Sequence, residues 1–314
     1  MATTHRPVML EEAVAALAPK DGETVVDATF GGGGHARRIL ESLGPEGRVV
    51  GIDRDPQAAE RASELQRDRR FSFVSGDYDG VMWQMLEDGM QVDAILFDLG
   101  LSSFQIDEPE RGFSYVGEGP LDMRMNPRSE VSAADFLNDV DPEELIRVLT
   151  EYGDVPRSQA RRVAREVVQR RPLKTTTDLY EAVRAAVGWV ERGGNPAKRI
   201  FQAVRVRVND ELGGLERALA ATERLLVAGG RLVVITFHSG EDRLVKRFIA
   251  EREGRCVCPP ELPLCICGAK PVFRRSVVRR PSRTEIEENP RSASARLRAA
   301  IRTAEAPKVG EDAS

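Results

Sequence analysis

Val25-Val26-Asp27-Ala28-Thr29-Phe30-Gly31-Gly32-Gly33-Gly34-His35 is the stretch on which the fold turns. A β-branched run closes on a carboxylate, four glycines follow, and a helical pattern starts at the last of them. Glycines between a strand and a helix let backbone N–H groups come close to a ligand. The next β-branched run, Arg48-Val49-Val50-Gly51-Ile52-Asp53, also ends in an acid. In nucleotide-binding folds an acid at that spacing accepts the hydroxyls of a ribose. Asp55-Pro56 supplies the next helix with its own N-cap and N1 proline, so Asp53 is left for a ligand.

Outward from this stretch the rhythm continues. Phe71-Ser72-Phe73-Val74 and Val92-Asp93-Ala94-Ile95-Leu96-Phe97-Asp98 are further strands, and helical segments fall around 34–43, 56–68 and 79–88. Alternation of this kind implies a parallel sheet with crossover helices. From about Glu108 the pattern changes to helices, with starts at Asp141-Pro142 and Thr177-Asp178 and one long helical stretch from Pro196 to Ala228. A buried strand returns at Gly230-Arg231-Leu232-Val233-Val234-Ile235-Thr236, and Pro271 to Val278 supplies a last one. The expected organisation is an α/β sheet domain in two parts, 1–107 and 208–302, interrupted by a helical insertion at 108–207 and followed by a flexible tail at 303–314.

With 314 residues, 41% hydrophobic and 31% charged side chains and a net charge of −4, the chain is neither a basic nucleic-acid coat nor a disordered acidic tail. Contact with a polyanion must be local. Arg157 to Arg171 carries six arginines against one glutamate, and Lys270 to Arg302 ten basic residues against three acidic ones. Such runs supply phosphate contacts or form solvated faces. No run nears the roughly 18 apolar residues of a membrane span, and the start, Met1 to Pro7, lacks a signal peptide's apolar core, so a cytosolic protein is expected. Four cysteines cluster as Cys256, Cys258, Cys265 and Cys267. Four thiolates suit tetrahedral zinc, but paired C-x-C spacing departs from the C-x-x-C of structural sites, and no metal is assigned.

A nicotinamide enzyme would share the sheet geometry. Here, however, the loop is Gly-Gly-Gly-Gly-His rather than G-x-G-x-x-G, and Asp27 would repel a pyrophosphate while favouring a ligand with a cationic amino-acid end. Gly76-Asp77-Tyr78 offers an acceptor and a ring for an adenine. These features favour S-adenosylmethionine over NAD. Asp98, at the end of an otherwise apolar strand, lies where open α/β sheets bind ligands and suits an exocyclic amine or the cofactor's cationic end. His238 follows the strand ending at Thr236; it either orients a base, accepts a proton or is simply structural. Ser239 with Asp242 looks like a helix-capping box.

Asp98 to Asp107, Glu110-Arg111-Gly112-Phe113-Ser114, Gly119 to Met125, Phe201 to Arg205, Val208 to Leu212 and Phe237-His238-Ser239 together resemble the bacterial 16S ribosomal RNA cytosine-N4 methyltransferases, the H enzymes of the small-subunit series, from His5 to about Arg302. The resemblance implies a Rossmann-like class I S-adenosylmethionine-dependent methyltransferase with an inserted helical domain. It further implies a substrate cytosine in the decoding centre of 16S rRNA, in the small ribosomal subunit or an assembly intermediate. The cofactor contacts it implies fall on Gly33, Gly34, His35, Asp53, Tyr78, Asp98 and Gln105, with Asp98 and His238 the candidates for catalysis. An amino-methyltransferase acting on DNA or a small molecule, and a noncatalytic RNA-binding assembly factor, are the competing readings; turnover and the identity of the methyl acceptor separate them.

Overall fold

The computed structural model describes residues 7–188, 195–254 and 271–303. The cysteine cluster and the tail beyond Thr303 lie outside the described residues. In chain order the elements are α1 (Leu10–Leu17), β1 (Thr24–Asp27), α2 (Gly34–Ser42), β2 (Arg48–Asp53), α3 (Pro56–Leu65), β3 (Phe71–Ser75), α4 (Tyr78–Glu87) and β4 (Val92–Asp98). A helical run follows: α5 (Ser103–Asp107), α6 (Ala133–Asp139), α7 (Pro142–Gly153), α8 (Arg157–Gln169), α9 (Thr176–Val187), α10 (Ala197–Val208) and α11 (Glu211–Leu225). The chain then forms β5 (Leu226–Thr236), α12 (Ser239–Arg252), β6 (Phe273–Arg279), α13 (Arg283–Glu288) and β7 (Arg296–Arg302).

The chain divides into two compact units, one of Met1–Gly100 with Gly213–Ser314 and one of Leu101–Leu212. The first holds a seven-stranded sheet in the order β3-β2-β1-β4-β5-β7-β6. Strands β1 to β5 pair in parallel, as the βαβ rhythm requires. The order reverses between β1 and β4, which makes their carboxyl ends the crevice where such sheets bind ligands. Two apolar clusters cover the faces of the sheet. One joins Val25, Val49, Leu96 and Val233 to α1 and α2, and the other joins Val26, Ile52, Ile95 and Val234 to α4, α11 and α12.

The sheet's far edge differs from the sequence expectation. Arg296–Arg302 is a strand that no sequence pattern announced, and it runs antiparallel between β5 and β6. Its arginines disguise it. Arg302 is 1% exposed, donating to the Glu223 and Val272 carbonyls, while Arg296 and Arg298 pair with Asp242 at 3.0 and 2.7 Å. The long helical stretch from Pro196 is also broken, at Asn209 and Asp210, the latter with φ +47°, and β5 starts at Leu226 rather than Gly230.

The second unit is helical around its own core of Leu121, Leu149, Val163, Leu179 and Val204. Asp141 caps α7 as expected, whereas α9 is capped by Thr175, with Asp178 closing the box, two residues before the expected start. The resemblance motifs in this unit act as fasteners. Asn209 donates to the Met123 carbonyl and accepts from the Met125 N–H, each at 2.7 Å, and Arg205 grips Glu211 through two bonds at 2.7 and 2.8 Å. Helix α8 buries Ala160, Val163, Ala164 and Val167, leaving Arg157, Arg161, Arg162 and Arg165 exposed on its other face.

Candidate active site

The site is built on strand ends in the sheet unit. The β1 run stops at Asp27 because the chain turns into the glycine loop. Gly33 has φ +75°, and a Cβ there would lie 2.6 Å from the Phe30 ring; at Gly34 a Cβ would lie 2.2 Å from Pro7 Cγ. Packing alone therefore disfavours a side chain at either glycine, and the closeness of Pro7 brings the start of the described chain onto the loop. Met9, fully buried with φ +51°, follows immediately, its N–H donated to Glu285 Oε1 at 2.7 Å. No periodicity in the sequence pointed to Pro7, Met9 or Glu285.

Asp27 is 1% exposed, next to the first turn of α2. Its Oδ1 accepts the Thr29 N–H at 3.3 Å, while Oδ2 is buried with no hydrogen-bond partner among the described residues. Burial pushes its carboxyl up to about 7; the Thr29 and Ala36 N–H groups oppose the shift and the charge of Asp53 adds to it. At the end of β2, Asp53 accepts the Gly31 N–H at 2.7 Å and the Asp55 N–H at 2.8 Å. Burial raises its pKa against those two bonds. The carboxylate expected to hold a ribose therefore also ties the glycine loop to β2. Asp55 caps α3, as expected.

Asp98 closes β4 with its backbone N–H on Thr29 Oγ1 at 2.6 Å. Its Oδ2 lies 3.6 Å from His35 Nδ1, too far for a hydrogen bond, and its Oδ1 is buried with no hydrogen-bond partner among the described residues. Burial, then the charges of Asp27, Glu241 and Glu285, hold its carboxyl well above the usual carboxylate range. The structure thus brings together Gly33, Gly34, His35, Asp53 and Asp98, with Asp27 beside them. Glu241 was visible in the sequence only as part of a helix start.

Tyr78 opens α4, its ring edge-on to Phe97 with centroids 5.6 Å apart and the Arg54 guanidinium 5.9 Å from its centroid. Asp77, expected as an acceptor for an adenine amine, pairs with Arg54 at 2.7 Å. Gln105 belongs to the other unit. It is buried at the third position of α5, where its side-chain oxygen accepts the Ser102 N–H at 3.1 Å and its own N–H goes to Ser102 Oγ, a capping box not expected from the sequence.

His238, rather than Ser239, is the N-cap of α12. Its Nδ1 accepts the Glu241 N–H at 3.5 Å, and Glu241 Oε2 receives the N–H groups of Phe237 and His238 at 2.7 and 3.2 Å. The box is shifted by one residue from the Ser239–Asp242 expectation because imidazole substitutes for a hydroxyl as acceptor. Asp242 instead anchors Arg296 and Arg298.

Buried carboxylates with unmatched oxygens call for a cation. A ligand with a sulfonium and an ammonium group fits Asp27 and Asp98, and its ribose fits Asp53, so the residues present suit S-adenosylmethionine. A pyrophosphate does not fit so acidic a crevice.

Comparison with known proteins agrees with this chemistry. The chain is 73% identical over 304 residues to the ribosomal RNA small subunit methyltransferase H of Rubrobacter xylanophilus, covering 97% of each chain. It is 47% identical to the protein of that name from Thermomicrobium roseum, covering 97% of this chain and 95% of the relative, and 44% identical to that from Symbiobacterium thermophilum, covering 100% of both. Residues 2–303 match the MraW methylase family. The chain belongs to the MraW methylase family.

Proposed function

We propose that the protein methylates 16S ribosomal RNA of the small subunit, in the cytosol, at N4 of a cytosine in the decoding centre, using S-adenosylmethionine. Membership of a methylase family makes methyl transfer the activity, and no helix among the described residues is long and apolar enough to cross a membrane. The relatives' shared name supports ribosomal RNA as the acceptor, and the exposed arginines of α8 supply cations for its phosphates. The observation that carries the reading is the pair of buried carboxylates, Asp27 and Asp98, each with an unmatched oxygen at the strand-order switch and beside the glycine loop.

When bound, S-adenosylmethionine supplies an electrophilic methyl group on a sulfonium. Asp27, beside the first turn of α2, would hold positive charge there; Asp53 would accept ribose hydroxyls, Gly33, Gly34 and His35 would line the cofactor's loop, and Tyr78 would pack on its base. The family resemblance adds Gln105 to this set. Asp98 has two tasks open to it. As a carboxylate it stabilises the cationic end of the cofactor, and it accepts a proton from the attacking amine, whose lone pair is delocalised into the cytosine ring and gains nucleophilicity as N4 pyramidalises. Both require the ionised form. A neighbouring cation favours that form, offsetting the burial that protonates Asp98 in the crevice by itself. His238 is placed to set the start of α12 and thereby Glu241, which contributes to the charge at Asp98.

The test is incubation of 16S RNA and small subunits from a strain lacking the enzyme with labelled cofactor, followed by nucleoside analysis. Label in N4-methylcytidine is expected. Label in another nucleoside, or RNA binding without turnover, overturns the reading.

A further inference from the structure

The ten cations of Lys270 to Arg302 look alike in sequence, and eight of those among the described residues separate in the structure. Arg302 is buried, Arg296 and Arg298 are bound to Asp242, and Arg275 pairs with Glu253 at 3.1 Å. Arg274, Arg279, Arg280 and Arg283 are exposed, and none has an ion pair among the described residues. Arg274 and Arg279 lie on β6, Arg280 directly after it and Arg283 at the start of α13; β6 is the outermost strand and, among the described residues, pairs with β7 on one side only. A bulge between Arg275 and Val278, where two residues stand opposite one, breaks the alternation of the strand. Phe273 points into the core while Arg274, Arg275 and Arg279 are all exposed.

We propose that the β6 edge and the turn into α13 form a phosphate-binding track for the RNA substrate, with Arg274, Arg279, Arg280 and Arg283 gripping the phosphates. The inference rests on the RNA reading above and adds a second surface, in the sheet unit, to the α8 face of the helical unit. The guanidinium is the side chain suited to phosphate, since its planar fork matches two oxygens at once. From Arg274 to Arg279 the edge runs for roughly 15 Å, long enough for several phosphates. A bulged, charged edge also prevents pairing with other chains, but that role is indifferent to the sign of the charge and ordinarily falls to lysine. Every cation from Arg274 to Arg291 is an arginine.

Sign is therefore the test. The full chain carrying Arg274→Glu, Arg279→Glu and Arg280→Glu keeps a charged edge, so it should remain monodisperse by light scattering and bind S-adenosylhomocysteine like the unaltered protein. Its affinity for a 16S RNA fragment, followed by fluorescence anisotropy across a potassium chloride series, should weaken. The slope of log affinity against log salt should fall by about 2 to 3, at roughly 0.7 to 0.9 for each phosphate no longer neutralised. Should the reversed chain misfold, the corresponding glutamine triple must show the same fall in slope. An unchanged slope in a folded variant overturns the track, as does binding of the unaltered edge to phosphatidylglycerol vesicles with equal salt dependence in RNA's presence and absence. Methylation of small subunits by the unaltered protein is scored separately. Its absence would overturn the enzymatic reading without touching the binding slope.

Discussion

Asp27 and Asp98 share a crevice that does not favour ionising both, and pH should expose this. The native state holds a proton on Asp27 up to about pH 7, whereas the unfolded chain releases it near pH 4. The part of the ligand-free protein's stability that Asp27 contributes should therefore fall as pH rises from about 4 to about 7 and level off above, since the native state binds more protons across that window; Asp53 and Asp98, also raised, add falls of the same sign. Asp27→Asn should flatten the curve, as denaturant midpoints at pH 5 and pH 8 would reveal; an identical fall in the variant would clear Asp27. A cation entering the crevice reverses the balance. Asp53 carries two duties, and two substitutions part them. Asp53→Ala loses charged hydrogen bonds worth about 1.5 to 3 kcal/mol, so S-adenosylhomocysteine affinity should drop roughly tenfold or more by calorimetry. Asp53→Asn keeps one acceptor for the loop and should fall less; equal affinity in all three proteins would remove Asp53 from the ribose site. Asp98→Asn should fold normally and lose most methyl transfer. If Asp98 serves the cofactor, rate returns at saturating S-adenosylmethionine; if it serves the amine, single-turnover rate stays low with both substrates saturating. Turnover and binding like those of the unaltered protein would take Asp98 out of the site.

Among the elements, α8 offers the plainest test. Its buried face is Ala160, Val163, Ala164 and Val167, so reversing Arg161, Arg162 and Arg165 leaves its packing alone. RNA affinity should weaken, with the salt slope reduced by about 2 to 3, and cofactor affinity should hold. An unaltered slope would make the helix a solvated face. How far elements were legible follows from what each strand displays. Strands β1, β2 and β4 were readable because their sides are largely covered, and runs such as Ala94-Ile95-Leu96-Phe97 carry no charge; β3, mostly exposed beyond Phe71, was readable from its alternating Phe71-Ser72-Phe73-Val74 pattern. β7 was not, because Arg296, Arg298 and Arg302 are neutralised by partners distant in sequence, Asp242 and the Glu223 and Val272 carbonyls. The same limit governs the site. Asp27, Asp53 and Asp98 stood out at strand ends, but the closeness of Pro7 to the glycine loop and the approach of Glu285 to Asp98 depend on pairings no local pattern encodes.

Taken whole, the molecule has its acidic crevice in the unit of Met1–Gly100 with Gly213–Ser314, and ligand should stabilise that unit first. At a hundredfold excess over Kd, S-adenosylhomocysteine adds about 2.7 kcal/mol. Hydrogen exchange followed by mass spectrometry should show protection at the ends of β1, β2 and β4. Protection of Ser102–Ile106 as well would bring Gln105 into cofactor binding, and exchange there that is indifferent to ligand would leave it a helix cap only. A different consequence comes from the place of β7. The last strand in chain order among the described residues is not at the rim but second from it, seated between β5 and β6. While a nascent chain is emerging from the ribosome, β5 keeps an open edge and β6 has nothing to pair with until Arg296–Arg302 has cleared the exit tunnel. A chain released early thus lacks the keystone of its sheet, presents an unpaired edge to chaperones and proteases, and leaves Asp242 without Arg296 and Arg298 at the start of the helix whose Glu241 faces Asp98. Seating of β7 between β5 and β6 and anchoring of Asp242 at the start of that helix are, in this topology, one event.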